Sequence, residues 1–157
     1  MLSKAGKEVL LKAVAQAIPN YAIQVFLLPL DFCRELETMM NSFWWGSGGN
    51  GKAGIRWMKW EMLCKPKTYG GIGFKNLYNF NVAMLGKQFW KILTDTESLV
   101  GRIFKARYFP RTSVIEAGLG HNSSFVWRSL MAAKQVIVRG SRIQVGNSHN
   151  ILIGSDP

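Results

Sequence analysis

Cysteine is scarce in this chain of 157 residues: only Cys33 and Cys64 occur, and they form no Cys-x-x-Cys pair. The two histidines, His121 and His149, fall in expected loops, outside metal-ligand spacing of either cysteine. That inventory excludes a disulfide framework and a zinc module, and it favours a reducing compartment; no cofactor or metal is expected. Acidic residues are also few, nine against twenty Lys and Arg, with no two adjacent in sequence. Between Glu37 and Asp95 the only carboxylate is Glu61. A nucleotidyl-transfer centre needs at least two converging carboxylates to hold its metal ions, so no catalytic residue is expected and the chain reads as a non-enzyme. Asp95, Glu97 and Glu116 lie at expected helix starts or in a loop, where capping explains them. No Gly-x-Ser-x-Gly elbow occurs, and the Gly-rich stretch from Gly46 to Gly54 lacks the Gly-Lys-Ser/Thr ending of a phosphate loop. The longest apolar run, Tyr21 to Leu30, is too short to span a bilayer and contains Pro29, so no membrane partner is expected.

Apolar residues make up 48% of the chain, enough to build a packed core in one domain or two small subdomains. Their spacing predicts a mainly α fold. Ser3 is a good N-cap, and Val9, Leu10, Ala13, Val14 and Ala17 follow at helical steps until Pro19. Asp31 is placed to cap a second amphipathic helix, with Phe32, Leu36, Met39, Met40, Phe43 and Trp44 on its core face and Cys33 as a small core residue. A short helix is expected around Trp57 to Leu63, putting Trp57 and Trp60 on one buried face, followed by a glycine turn at 70–73. The longest helix should run from about Asn76 to Thr94 with Leu77, Phe80, Met84, Leu85 and Ile92 inward. Thr96 or Asp95 then caps a helix through Leu99, Val100, Ile103 and Phe104, closed by Phe109-Pro110. Arg111 to Ser124 reads as loop and Phe125 to Val138 as helix, through Trp127, Leu130, Met131 and Ile137. The tail, 141–157, reads as a short β-hairpin around Gly146-Asn147-Ser148-His149. The chain thus divides into a helical segment 1–46, a Gly-rich linker 47–54, a helical region 55–140 and the hairpin tail.

The formal net charge of +11 and a pI near 10.0 create a field that attracts polyanions. The basic residues that stand nearly unopposed are Lys4, Lys7 and Lys12 near the N-terminus, then Arg56, Lys59, Lys65, Lys67, Lys75, Lys87 and Lys91. These are the candidate phosphate contacts. Trp57, Trp60, Tyr69, Phe74 and Trp90 are interleaved with them. Exposed aromatics of this kind stack bases, whereas the bland alternative makes them core beneath a solvated lysine face; for Trp57 and Trp60 the core reading is favoured. The expected partner is RNA, DNA or their hybrid, bound without sequence preference. A nuclear or cytoplasmic protein is expected over a mitochondrial one, because the lysine-bearing N-terminus lacks the Arg and Ser enrichment of a presequence.

Several landmarks then occur in a specific order. They run from Leu2-Ser3-Lys4-Ala5-Gly6-Lys7 and Ala17-Ile18-Pro19-Asn20-Tyr21 through Phe43-Trp44-Trp45-Gly46 and Trp57 to Trp60. Cys64-Lys65-Pro66-Lys67, Gly70-Gly71-Ile72-Gly73-Phe74, Ala83-Met84-Leu85-Gly86-Lys87-Gln88 with Trp90, and Lys105-Ala106-Arg107-Tyr108-Phe109 follow. Trp127-Arg128-Ser129 and the tail from Val145 to Pro157 complete the series. Together they resemble the region after the palm in plant-type LINE (non-LTR) retrotransposon reverse transcriptases, over essentially the whole chain. The resemblance implies that 1–46 is thumb-like and 55–140 a connection region, that the thumb holds a template-primer duplex, and that the palm is a partner. It also implies a middle piece, beginning after the paired aspartates of the palm and ending before the cysteines of a downstream zinc-binding region. The competing expectations are a domesticated RNA-binding module, like the thumb-like region of organellar maturases, and a protein-interaction domain.

Overall fold

The computed structural model describes residues 2–17, 19–46 and 55–141. Helices dominate, and no strand occurs among the described residues. The expected hairpin at 141–157 and the Gly-rich stretch 47–54 lie outside them, save for Ser141. Two compact units, 1–85 and 86–157, divide the chain inside its longest helix.

The first unit opens with α1 (Lys4–Leu10), where Ser3 accepts the Gly6 N–H as expected of an N-cap. A π turn (Leu11–Ala15) follows without a break, marked by Gln16 N donating to Leu11 O at 2.9 Å. The extra residue in that turn rotates the helix, so Lys7, Leu11 and Gln16 are the buried positions. Val9, Leu10 and Val14, expected inward from a regular 3.6-residue period, are exposed instead. A one-turn helix α2 (Asn20–Ile23) leads to α3 (Leu30–Trp45). Pro29 occupies the N-cap of α3, with no side-chain cap, and Asp31 lies inside its first turn, where it pairs with Arg34 at 3.5 Å. The helix starts two residues earlier than an Asp31 cap would place it. Cys33, Glu37, Met40, Asn41 and Trp44 form the buried face of α3. The expected core stripe is therefore half right: Met40 and Trp44 are inside, whereas Phe32, Met39 and Phe43 lie on an exposed edge.

Residues 55–59 are not helical. Met58 and Trp60 turn inward while Trp57 and Lys59 turn outward, the alternation of extended chain, and α4 (Trp60–Leu63) begins only at Trp60. Trp57 and Trp60 therefore share no helix face, which corrects the expectation of a common buried one. A 3₁₀ turn (Lys67–Tyr69) and Gly70, in the left-handed region at φ 76°, reverse the chain. Ile72, Gly73 and Phe74 all donate backbone N–H to Leu63 O, at 2.9, 3.1 and 3.3 Å. The core of this unit packs Leu11, Cys33, Met40, Trp44, Trp60, Leu63, Phe74 and Leu77, joining residues from both sides of the 47–54 stretch. Phe74 is its hub, stacked on Trp60 at 4.9 Å and edge-on to Trp44 at 5.4 Å.

Helix α5 (Leu77–Thr94) matches the expected span within a residue and carries Leu77, Leu85, Phe89 and Ile92 as buried positions. In the second unit α6 (Leu99–Tyr108) is capped by Ser98, whose Oγ accepts the Gly101 N–H at 3.2 Å. Asp95, expected as the cap, instead accepts the Ser98 N–H at 3.0 Å and so holds the cap itself. Leu99, Val100 and Ile103 are exposed rather than core, since α6 packs through Gly101, Phe104 and Tyr108. Helix α7 (Phe125–Gly140) is capped by Ser124 and buries Trp127, Leu130 and Ala133. Trp127 lies parallel to Tyr108 at 4.5 Å, stacks on Phe104 at 5.5 Å and donates its indole N–H to Gly118 O at 3.1 Å.

Candidate nucleic-acid interface

The candidate cations fall into two groups that the sequence does not separate. Lys7 is buried, and its ammonium donates to Trp44 O at 3.5 Å and to Gly46 O. Lys4 donates to the same Trp44 O at 3.0 Å and lies 4.8 and 4.9 Å from the Trp44 and Trp45 rings. Both therefore neutralise the negative C-terminal end of α3, where a cation is stabilising. Lys12 is held by Glu8 Oε1 and by Ile72 O, each at 2.8 Å, and Lys67 reaches the same Glu8 oxygen at 2.9 Å. These hydrogen bonds from Lys12 and Lys67 hold the Glu8 carboxyl below its ordinary value. Arg56 donates to Ser42 Oγ at 2.7 Å, and Lys75 sits 4.0 Å over the Phe80 ring.

Lys59, Lys65, Lys87 and Lys91 form the second group. All four are exposed, and their ammonium groups have no hydrogen-bond or ion-pair partner among the described residues. Lys59 precedes α4, Lys65 follows it, and Lys87 and Lys91 stand one turn apart on α5. The aromatics separate as cleanly. Trp60 and Phe74 are core, while Trp57, Tyr69 and Trp90 are exposed.

Sequence reading missed a second basic region. In the unit 86–157, Arg102, Lys105 and Arg107 project from α6 and Arg111 follows it. Lys105 pairs loosely with Glu97 at 3.9 Å, and Arg107 donates to Asn122 O at 3.5 Å. Arg102 and Arg111 have no side-chain partner among the described residues. The signal is present in the sequence, since Arg102 to Arg111 holds no acid, but the span divides between a helix closed by Phe109-Pro110 and the loop from Arg111.

The acids do not converge on a metal site: no group of three or more His, Cys, Asp or Glu residues is placed to hold an ion among the described residues. Glu37 is buried and accepts the Leu77 N–H at 2.7 Å, capping α5 from a distant helix. Burial pushes its carboxyl up, against the lowering effect of that hydrogen bond. Burial, with the nearby Glu37 and Glu61 charges, also pushes the Cys64 thiol up to about 12. No helix is long and apolar enough to cross a membrane among the described residues.

Comparison with known proteins gives the chain its family. It is 38% identical over 132 residues to an "uncharacterized mitochondrial protein" of Arabidopsis thaliana, covering 83% of this chain and 85% of the relative. The chain belongs to the family of that protein. It is also 32% identical over 107 residues to a "putative ribonuclease H protein" of the same plant, covering 68% of this chain but only 17% of that much longer protein. No protein-family model matches the chain, and no solved structure matches it significantly. With the ordered landmarks of the sequence, these relatives point to a transposon-derived, reverse-transcriptase-like region.

Proposed function

We propose that the chain is a non-catalytic segment of LINE-type reverse-transcriptase origin that binds RNA, DNA or their hybrid through phosphate contacts. One observation carries this reading: in a chain of net charge +11, a subset of cations is exposed and has no side-chain partner among the described residues. An unpaired surface cation gains little from the protein's own charges, so it is available to displace counterions from a phosphate backbone. Such contacts position a polyanion without reading its sequence. The nucleus or cytoplasm is the proposed compartment, which fractionation of a tagged protein tests.

A salt titration of binding to mixed-sequence duplex DNA is the direct test. The logarithm of the binding constant should fall linearly with the logarithm of salt, by about 0.9 for each neutralised phosphate. Unrelated duplexes should compete equally. Absence of binding at low salt would remove the reading.

A second reading, a protein-interaction module meeting a polymerase palm, is favoured by the outer edge of α3. Met39 is 62% exposed there, beside an apolar cavity of about 420 Å³ lined by Leu28, Phe32, Leu36, Met40 and Leu77. An apolar recess with an exposed methionine at its rim suits contact with an apolar partner surface. Met39→Glu should abolish co-elution with a reverse-transcriptase palm polypeptide on this reading and leave nucleic-acid binding unchanged.

A further inference from the structure

The two most exposed large aromatics of the first unit, Tyr69 and Trp57 after Tyr21 on its one-turn helix, are held by backbone that cannot easily withdraw them. Trp57 is 73% exposed. On one side of it, Arg56 is tied to Ser42 Oγ at 2.7 Å; on the other, Met58 O accepts from the Asn41 side chain at 3.4 Å. Met58 packs against the core and Trp60 lies within it, so the alternation of extended chain forces the Trp57 indole outward. Tyr69 is 77% exposed and closes the 3₁₀ turn. Behind it the chain is fixed by Gly71 N donating to Pro66 O at 3.2 Å and Gly73 N to Lys65 O at 2.9 Å. Close by each ring in the sequence stands a cation that has no partner among the described residues, Lys59 for Trp57 and Lys65 for Tyr69.

An aromatic face beside an unpaired cation matches the chemistry of a nucleotide whose base is not paired. The ring stacks on the base while the ammonium meets the phosphate, and the stacking is indifferent to base identity because every base has a π face. A duplex buries those faces within its own stack and leaves only its backbone and the base edges in its grooves. We propose that Trp57 and Tyr69 are stacking platforms, so that the substrate class of this surface is single-stranded nucleic acid. This rests on the reading of the chain as a nucleic-acid binder and narrows it.

The test compares one mixed-sequence oligodeoxynucleotide, single-stranded and annealed to its complement, on the full chain and on Trp57→Ala, Trp57→Phe and Tyr69→Ala. Both positions are exposed, so circular dichroism should show the variants folded. Each alanine should weaken single-strand binding by roughly tenfold, a loss in the range found for one stacked base, and leave duplex binding within about twofold. Trp57→Phe should recover most of the loss, which a general surface effect would not. Tryptophan fluorescence should be quenched by the single strand in the wild type and less so in Trp57→Phe. Equal loss for single strand and duplex, or no loss for either, would overturn this proposal while leaving phosphate-driven binding in place. Failure of the wild type to bind either form would remove both.

Discussion

Glu37 brings an ionisable carboxyl into the interior of a basic protein, and its position explains why. Its Oε1 accepts the Leu77 N–H, one of the backbone donors that every helix leaves unsatisfied at its start. Glu37→Ala should strand that buried N–H and cost about 1–3 kcal/mol in urea unfolding. Glu37→Gln keeps an oxygen acceptor and removes the buried charge, so its loss at neutral pH should be smaller. The pH dependence has a definite sign. Burial raises the folded carboxyl above its ordinary 4.5, so the folded state binds the proton more tightly. The associated stability is fully present below about 4.5 and is lost as pH rises through the raised value. Against Glu37→Gln, the wild type should therefore lose ground as pH climbs from acid toward neutral. Lys7 makes the complementary case: Lys7→Ala, which removes the cation from the α3 carbonyls, should cost about 1–3 kcal/mol. Lys65→Ala should stay within about 0.5 kcal/mol, as for a surface change. None of this was legible in the sequence. Lys7 and Lys65 are the same residue type among similar neighbours, and only long-range contacts separate a structural lysine from a free one.

Elements were more readable than residues, and the failures have physical causes. Local pattern and capping chemistry gave the helix at Leu77–Thr94, the Ser3 cap and the helix from Phe125, because each is decided within a turn or two of chain. The π turn at Leu11–Ala15 was invisible because it changes the period that the reading assumes. The Trp57 assignment failed because a spacing of three is ambiguous until a helix is known to include both residues. Two element-level contacts are open to test. Asn81 is fully buried, accepts the Leu28 N–H at 2.8 Å, and donates to Ile23 O and Phe26 O at 2.7 and 2.9 Å. It fastens the chain between α2 and α3 to α5, so Asn81→Ala should cost about 1–3 kcal/mol for each backbone group left unsatisfied, read from the shift in urea midpoint. Gly71 sits where a Cβ would lie 1.9 Å from Lys65 O, a backbone atom that cannot swing aside. Gly71→Ala should therefore open the turn that Leu63 O organises. Lost protection of the Ile72 and Phe74 amides against hydrogen exchange, while α7 amides stay protected, is the expected outcome.

At the scale of the whole molecule, composition points to a polyanion as the proposed partner class but does not say which residues would meet it. Of the ten cations singled out from sequence, Lys4, Lys7 and Lys12 are engaged by the protein's own carbonyls or carboxylates, and Lys67 is paired with Glu8. Arg102 and Arg111, without a side-chain partner among the described residues, were overlooked. If binding is electrostatic, the salt slope should track this division rather than total charge. Lys87→Ala with Lys91→Ala, and separately Arg102→Ala with Arg111→Ala, should each flatten the duplex slope by about 0.9 for every residue that touches phosphate. Lys12→Ala removes the same formal charge, yet an ammonium shared between Glu8 and Ile72 O releases few counterions from DNA when it is lost. That variant should keep the wild-type slope and show its effect in thermal unfolding instead. A flattened slope in Lys12→Ala together with unchanged slopes in both pairs would mean that intramolecular engagement does not decide which cations bind. Equal flattening in all three would mean that only net charge matters, with the protein acting as a diffuse polycation and not through particular contacts.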